Sequence, residues 1–335
     1  MSTITRRAAL AVVAALISGA AAAAPGKIVV GYQTGPDPIE VSIASGEVAK
    51  VTGRDVEFRR FNSGADILAA VASGDVQVGY VGSSPFAAAA SRGLDVKAFY
   101  IPSISGTDEA LVVRDGAGIA TLADLKGKRL SAAPVSTDHY QLLATLKQNG
   151  IAEKDATVLP LAQPGIVAAW KRGDLDGAFV WDPALSELKK NGKVLLTSKQ
   201  VAERGAPTFN AWVAAGTFVK SDPDFLKGFA ALIAKQNASF LTDKASWDEH
   251  SANVKAIAGL LGGTPAGQAA GLRDLNIVPA AQQGTGDWLG GGDKSGVAVI
   301  LKETAGFLKE QRKITAVRDS YGAYVTAAFV EPLSN

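Results

Sequence analysis

The chain has 335 residues, 34 Lys plus Arg against 32 Asp plus Glu, 47% hydrophobic residues and no cysteine. Its net charge of +2 is matched by Arg6 and Arg7, so the rest is neutral and offers neither a basic footprint for nucleic acid nor a polybasic face for lipid. The lack of cysteine excludes disulfide staples, thiol catalysis, Cys metal sites and a lipid-modified Cys anchor, and leaves a large apolar core to hold the fold.

Arg6-Arg7 precede an apolar-to-small run from Ala8 to Ala24. A positive start, a short apolar stretch and small residues at its end predict a secretory signal over residues 1–24, a run too short to span a bilayer. Pro25 blocks cleavage directly before it, so the expected cut follows Ala22 or Ala23. The arginine pair admits twin-arginine export as an alternative to ordinary secretion. The expected destination is the periplasm.

From Lys27 onward β-rich runs alternate with helical stretches. Strands are expected at Lys27–Tyr32, Val56–Phe61, Val76–Val81, Val96–Ile101, Ala110–Val113, Arg129–Ala132, Thr157–Leu161, Gly177–Trp181, Val194–Leu196 and Ala211–Ala214, with helices at Ser63–Ala72, Thr137–Asn149 and Gly165–Arg172. Past Ser221 the pattern becomes helical: Asp222–Leu241, Ala245–Leu261, Val297–Gln311 and a last helix near Ser320–Phe329. The alternation predicts an α/β protein with largely parallel sheets. Two lobes fit the lengths, 25–109 plus 214–335 and 110–213, joined by a two-crossover hinge near Asp108–Ala110 and Phe209–Val213.

In such architectures ligands bind beyond the carboxyl ends of strands, against helix N-termini. Gln33, Ser83-Ser84, Ser136-Thr137, Gln163 and Trp181-Asp182 all fall there. With Gln33, Ser83, Ser84, Ser136, Thr137, His139 and Gln163 as donors and no Lys or Arg at these ends, the set suits an oxyanion held by neutral groups and helix dipoles. Helix caps and turns use the same residue types. Tyr32, Trp181 and Trp212 could wall a pocket and offer a π face to an ammonium group, or serve as core; Trp170 is expected in the core. Glu109 and Asp182 are the acidic candidates for a cationic end, Glu109 being preferred because the run Ala110–Val113 carries it toward the cleft.

Catalytic arrangements are weaker. Ser136, Asp138 and His139 share one turn, whereas a triad converges from separate elements, and with two His in the whole chain no His-based metal site is expected. Gly290–Ser295 has Asp293 where a phosphate loop needs its second Gly, so a flexible surface turn is expected there. No cofactor is expected.

In order and spacing, several segments resemble the periplasmic taurine-binding receptors of ABC-type importers, within the nitrate/sulfonate/bicarbonate-binding group. They are Tyr32–Thr34, Phe61–Ala65, Ser73–Pro85, Glu109–Val113, Ser136–Tyr140, Ala168–Gly173 with Asp176–Ala178, Trp181, Gly205–Thr208 and Phe307–Gln311. The resemblance implies a type II periplasmic binding fold, a monomer whose lobes close on a small sulfonate, and an inner-membrane permease as partner. It further implies that Ser84, Thr137 and Gln33 hold the sulfonate with support from Ser83 and His139, and that Glu109 with Trp181 or Trp212 meets the amine. Those receptors carry Asp two residues before the hinge Trp, where this chain has Asn210; Asp182 could restore the charge. The alternatives are a receptor for aliphatic sulfonates or other anions lacking an amine, and an enzyme resembling the pyrimidine-precursor synthases of this fold, which would rest on His139.

Overall fold

The computed structural model describes residues 26–331; the expected signal segment lies outside them. Twelve strands are present among the described residues: β1 (Ile28–Tyr32), β2 (Val56–Arg60), β3 (Val78–Gly82), β4 (Val96–Tyr100), β5 (Ser103–Ile104), β6 (Glu109–Arg114), β7 (Arg129–Ala132), β8 (Thr157–Pro160), β9 (Gly177–Trp181), β10 (Gly192–Thr197), β11 (Asn210–Ala215) and β12 (Asn276–Ile277). They form two five-stranded sheets, ordered β2-β1-β3-β11-β4 and β10-β6-β9-β7-β8, and a small β12-β5 pair.

Each large sheet is built to one plan. Four strands run one way and a fifth, inserted second from an edge, opposes both neighbours: β11 in the first sheet and β6 in the second. The sheets are therefore mixed, where largely parallel ones were expected. The reversal follows from the crossovers, because each inserted strand is the first element laid down after the chain changes lobe. The two passages run side by side, with Ser105 N–H donating to Thr208 O at 3.1 Å and Ile104 bridged to Phe209.

This pairing shifts the expected lobe boundaries. All of β11 lies in the first sheet, so Asn210–Val213 belong there and the second passage ends at Phe209. Glu109, expected in the first lobe, opens β6 opposite Trp181 in the second sheet.

The strands of both sheet centres are apolar throughout because helices cover both faces. One continuous core surrounds the first sheet, including Trp212, Phe225, Phe229 and Trp247. The second sheet separates two smaller cores, one holding Leu142, Leu143 and Phe179, the other Ile166 and Trp170. Trp170 is buried as expected, its indole N–H on Asn191 Oδ1 at 2.7 Å.

The tail departs from expectation in three places. The helix expected from Ala245 starts at Ala252, where Ser251 caps it by accepting the Val254 N–H; a further helix, Pro265–Asp274, follows. Gly290–Ser295 is the expected surface turn, with Gly291–Lys294 exposed, but its ends are packed: Ser295 is fully buried and caps the helix Gly296–Glu310, and a Cβ on Gly290 would lie 2.2 Å from Gly284 O. Instead of a last helix, the chain near 320–329 is a strap with a short turn at Gly322–Tyr324, a single bridge from Val325 to Ala98 and a second turn beginning at 328. Thr326 N–H bonds Ala98 O at 3.0 Å, so the free edge of β4 outcompetes a helix in a segment containing Gly322 and β-branched Val325 and Thr326.

Candidate functional site

Between the sheets lies a pocket with about 60 Å³ open to the centre of a water-sized sphere. One water needs roughly 10–15 Å³ on that measure, so the space suits a molecule of a few heavy atoms. The first lobe lines it with Gln33, Gly35, Pro36, Gly64, Tyr80, Gly82, Pro85 and Asn210; the second with Glu109, Ser136, Thr137, Trp181 and Asp182. Asp108 enters from the first passage, and Gly271 and Leu275 from the helical tail.

Two helix starts abut at its floor. The helix Ser83–Ser91 begins directly after β3 because Pro85 fits the first turn. The helix Thr137–Gln148 is capped by Ser136, whose Oγ accepts the His139 N–H at 3.1 Å. First-turn N–H groups have no intrahelical acceptor and carry the positive end of the dipole. Gly82 permits the approach, since a Cβ there would lie 2.7 Å from Thr137 Cγ2.

The acids converge on one side. Glu109, 4% exposed, accepts from Thr137 Oγ1 at 3.0 Å and from Ser198 Oγ at 3.3 Å. Burial pushes its carboxyl up, against the opposing hydrogen bonds of Thr137, Asp138, Ser105 and Ser198. Asp108, in contact with solvent only in part, accepts the Gly106 N–H at 2.6 Å and is pushed well up by burial and the adjacent Glu109 charge. Asp182 accepts the Ser186 N–H at 2.8 Å and is also raised by burial.

Of the residues expected at the site, Gln33, Glu109, Thr137, Trp181, Asp182 and Asn210 line this pocket. Gln33 Nε2 donates to Tyr80 O at 3.1 Å and Asn210 Nδ2 to Ser103 Oγ at 3.3 Å. Four others do not line it. Ser83 Oγ accepts the Phe209 N–H, and Ser84 Oγ donates across the lobes to Val135 O at 2.9 Å. His139 Nδ1 accepts the Val135 N–H at 3.2 Å, and burial lowers its pKa from 6.5 to about 4. Trp212 stands behind Tyr80, ring centroids 5.1 Å apart, beside a separate one-water cavity of about 10 Å³. Gln163 lines a different groove at the rim, with Thr34, Asn62 and Lys171. Ser136, expected among the donors, lines the pocket as well; sequence reasoning missed Asp108, whose place at a crossover beside Glu109 was the available signal.

A family model described as NMT1/THI5 like matches residues 50–243. The chain is 42% identical over 304 residues to the taurine-binding periplasmic protein of Escherichia coli K12, covering 91% of this chain and 92% of that protein. The chain belongs to the NMT1/THI5-like family. It is also similar, at 25% identity, to a putative aliphatic sulfonates-binding protein of Escherichia coli K12, over 62% of this chain and 69% of that one. The fold matches the crystal structure of the periplasmic aliphatic sulphonate-binding protein SsuA from Escherichia coli with a TM-score of 0.70 at 22% identity, covering 88% of this chain and 96% of that chain. The two lobes are thus those of the periplasmic binding protein fold.

Proposed function

We propose that this protein is the non-catalytic receptor of an ABC-type importer, capturing taurine or a near relative between its lobes and presenting it to an inner-membrane permease. The observation that carries the reading is the charge of the pocket wall: Asp108, Glu109 and Asp182 contribute three carboxyl groups, and no Lys, Arg or His is among the described lining residues. A wall of that kind opposes a simple anion and suits a zwitterion, whose ammonium meets the acids while its anionic end meets neutral donors.

Taurine is such a molecule, and a relative 42% identical carries its name. In this reading Thr137, Ser136, Gln33 and the two helix starts receive the sulfonate. Glu109 and Asp108 receive the ammonium, with Trp181 as a π wall. Asp108 supplies the charge that Asn210 lacks, which leaves Asp182 free for its bond to Ser186. The enzyme alternative loses its anchor, because His139 faces Val135 and not the pocket.

The reading extends to a monomer delivered to the periplasm by a cleaved signal; the intact mass of the exported protein tests the cut after Ala22 or Ala23. Calorimetric titration with taurine, ethanesulfonate and β-alanine tests the ligand. Taurine is expected to bind well ahead of ethanesulfonate. Ethanesulfonate binding with no heat from taurine would move the assignment to an aliphatic sulfonate receptor.

A further inference from the structure

Asp138 is the one acid of this region that the binding reading leaves without work. It is 0% exposed, and neither of its carboxyl oxygens accepts an N–H or hydroxyl from the described residues. The residue before it, Thr137, donates to Glu109 Oε1 at 3.0 Å, which sets Asp138 beside Glu109, and the Glu109 charge adds to burial in pushing the Asp138 carboxyl up. The charged and titratable groups around the pair are Glu109 itself, Asp108, and Asp274 beyond Asp108; His139, next in the helix, turns its Nδ1 to Val135. No Lys or Arg among the described residues forms an ion pair with Asp108, Glu109 or Asp138.

Hydroxyl donors among the described residues surround Glu109 and none reaches Asp138: besides Thr137 and Ser198, the buried Ser105 hydroxyl, which has no other partner, is beside Glu109. Thr137 serves Oε1. Ser198 has a single hydroxyl hydrogen and two acceptors, Glu109 Oε2 and Gln141 Oε1. Gln141 spends its amide hydrogens on Ala206 O and Thr208 Oγ1 at 3.3 and 3.1 Å, which fixes its oxygen toward Ser198. Two buried carboxylates side by side without a cation do not both ionise.

We propose that Asp138 remains a neutral carboxylic acid that donates its O–H to Glu109, so that the pair carries one negative charge and presents it from Glu109 to the pocket. Asp138 is then a positioning residue for the ammonium end of the ligand. The ligand part rests on the taurine reading; the proton does not.

Two measurements test it. In the ligand-free protein at pH 7, the infrared difference between wild type and Asp138→Asn is expected to show a carboxylic-acid C=O band that the variant lacks; a difference confined to carboxylate bands overturns the proposal whatever ligand the protein takes. In titrations, Asp138→Asn, which keeps a donor for Glu109, is expected to hold taurine affinity within about threefold, whereas Asp138→Ala loses roughly tenfold or more for taurine and little for ethanesulfonate. Equal losses of taurine in both variants would mean that Asp138 acts as a charge, and would overturn it. Melting curves check that the variants fold; if Asp138→Ala does not, the infrared band and the Asn variant decide. A wild-type protein that ignores taurine yet shows the band fails the ligand reading and keeps the proton.

Discussion

His139 illustrates how a residue beside a site differs from a residue in it. Its imidazole is held neutral by burial, with a pKa near 4 in place of 6.5. Between those values the unfolded chain binds more protons than the folded one, so stability rises with pH across the window and is lost as the solution is acidified below about 6.5. The full difference is about 3 kcal/mol. His139→Gln is therefore expected to flatten the pH dependence of unfolding free energy between pH 6.5 and 4, measured by urea titration at several pH values. Glu109→Gln acts on the ligand instead: taurine affinity is expected to fall by roughly 2–3 kcal/mol, read by calorimetry, with ethanesulfonate unchanged or tighter. At this scale the sequence located the right turns but not the direction of each side chain. Ser83 and Ser84 sit at the helix start their Ser-Ser-Pro signature announced, yet their hydroxyls are drawn to Phe209 and Val135. Partners like these come from the other lobe or passage, and no local pattern names them.

Among the elements, the junction of the two helix starts is the most sensitive. Val135 holds a positive φ of 61°, a conformation uncommon for a β-branched residue, and this turns its carbonyl to Ser84 and its N–H to His139. Opposite it, Gly82 leaves no room for a side chain against Thr137. Gly82→Val is expected to wedge the lobes apart, abolishing measurable ligand heat while each lobe keeps its circular dichroism. Ser84→Ala removes one interlobe hydrogen bond and is expected to weaken binding by about 1 kcal/mol, in the same titration. Element positions were the most legible part of the sequence, since apolar runs and caps such as Ser63, Ser136 and Asp222 are local signals. Strand direction and the strap at Tyr321–Phe329 were not, because the first depends on where the chain crosses between lobes and the second on the free edge of β4.

For the molecule as a whole, the site is a property of both lobes, the first passage and the tail together. Gly271 and Leu275 reach the pocket from a stretch whose sequence shows only helix and turn. A ligand that binds only the closed arrangement stabilises it by mass action, about 2.7 kcal/mol at one hundred times its dissociation constant. Thermal melts with increasing taurine are expected to shift upward by several degrees, and small-angle scattering to show contraction on binding; a flat series in both would mean no coupling between ligand and closure.

The reversed strand β11 has a consequence for how the polypeptide is made. The second sheet is drawn entirely from residues 109–197, whereas the first cannot be completed until residues 210–215 arrive to fill the gap between β3 and β4. A chain leaving a ribosome or a translocation pore N-terminus first therefore starts one lobe, finishes the other, and only afterwards seals the first. Through that interval, in the first sheet, only the facing edges of β3 and β4 lack their partner, and the sheet encoded by the middle of the chain is the first to be complete.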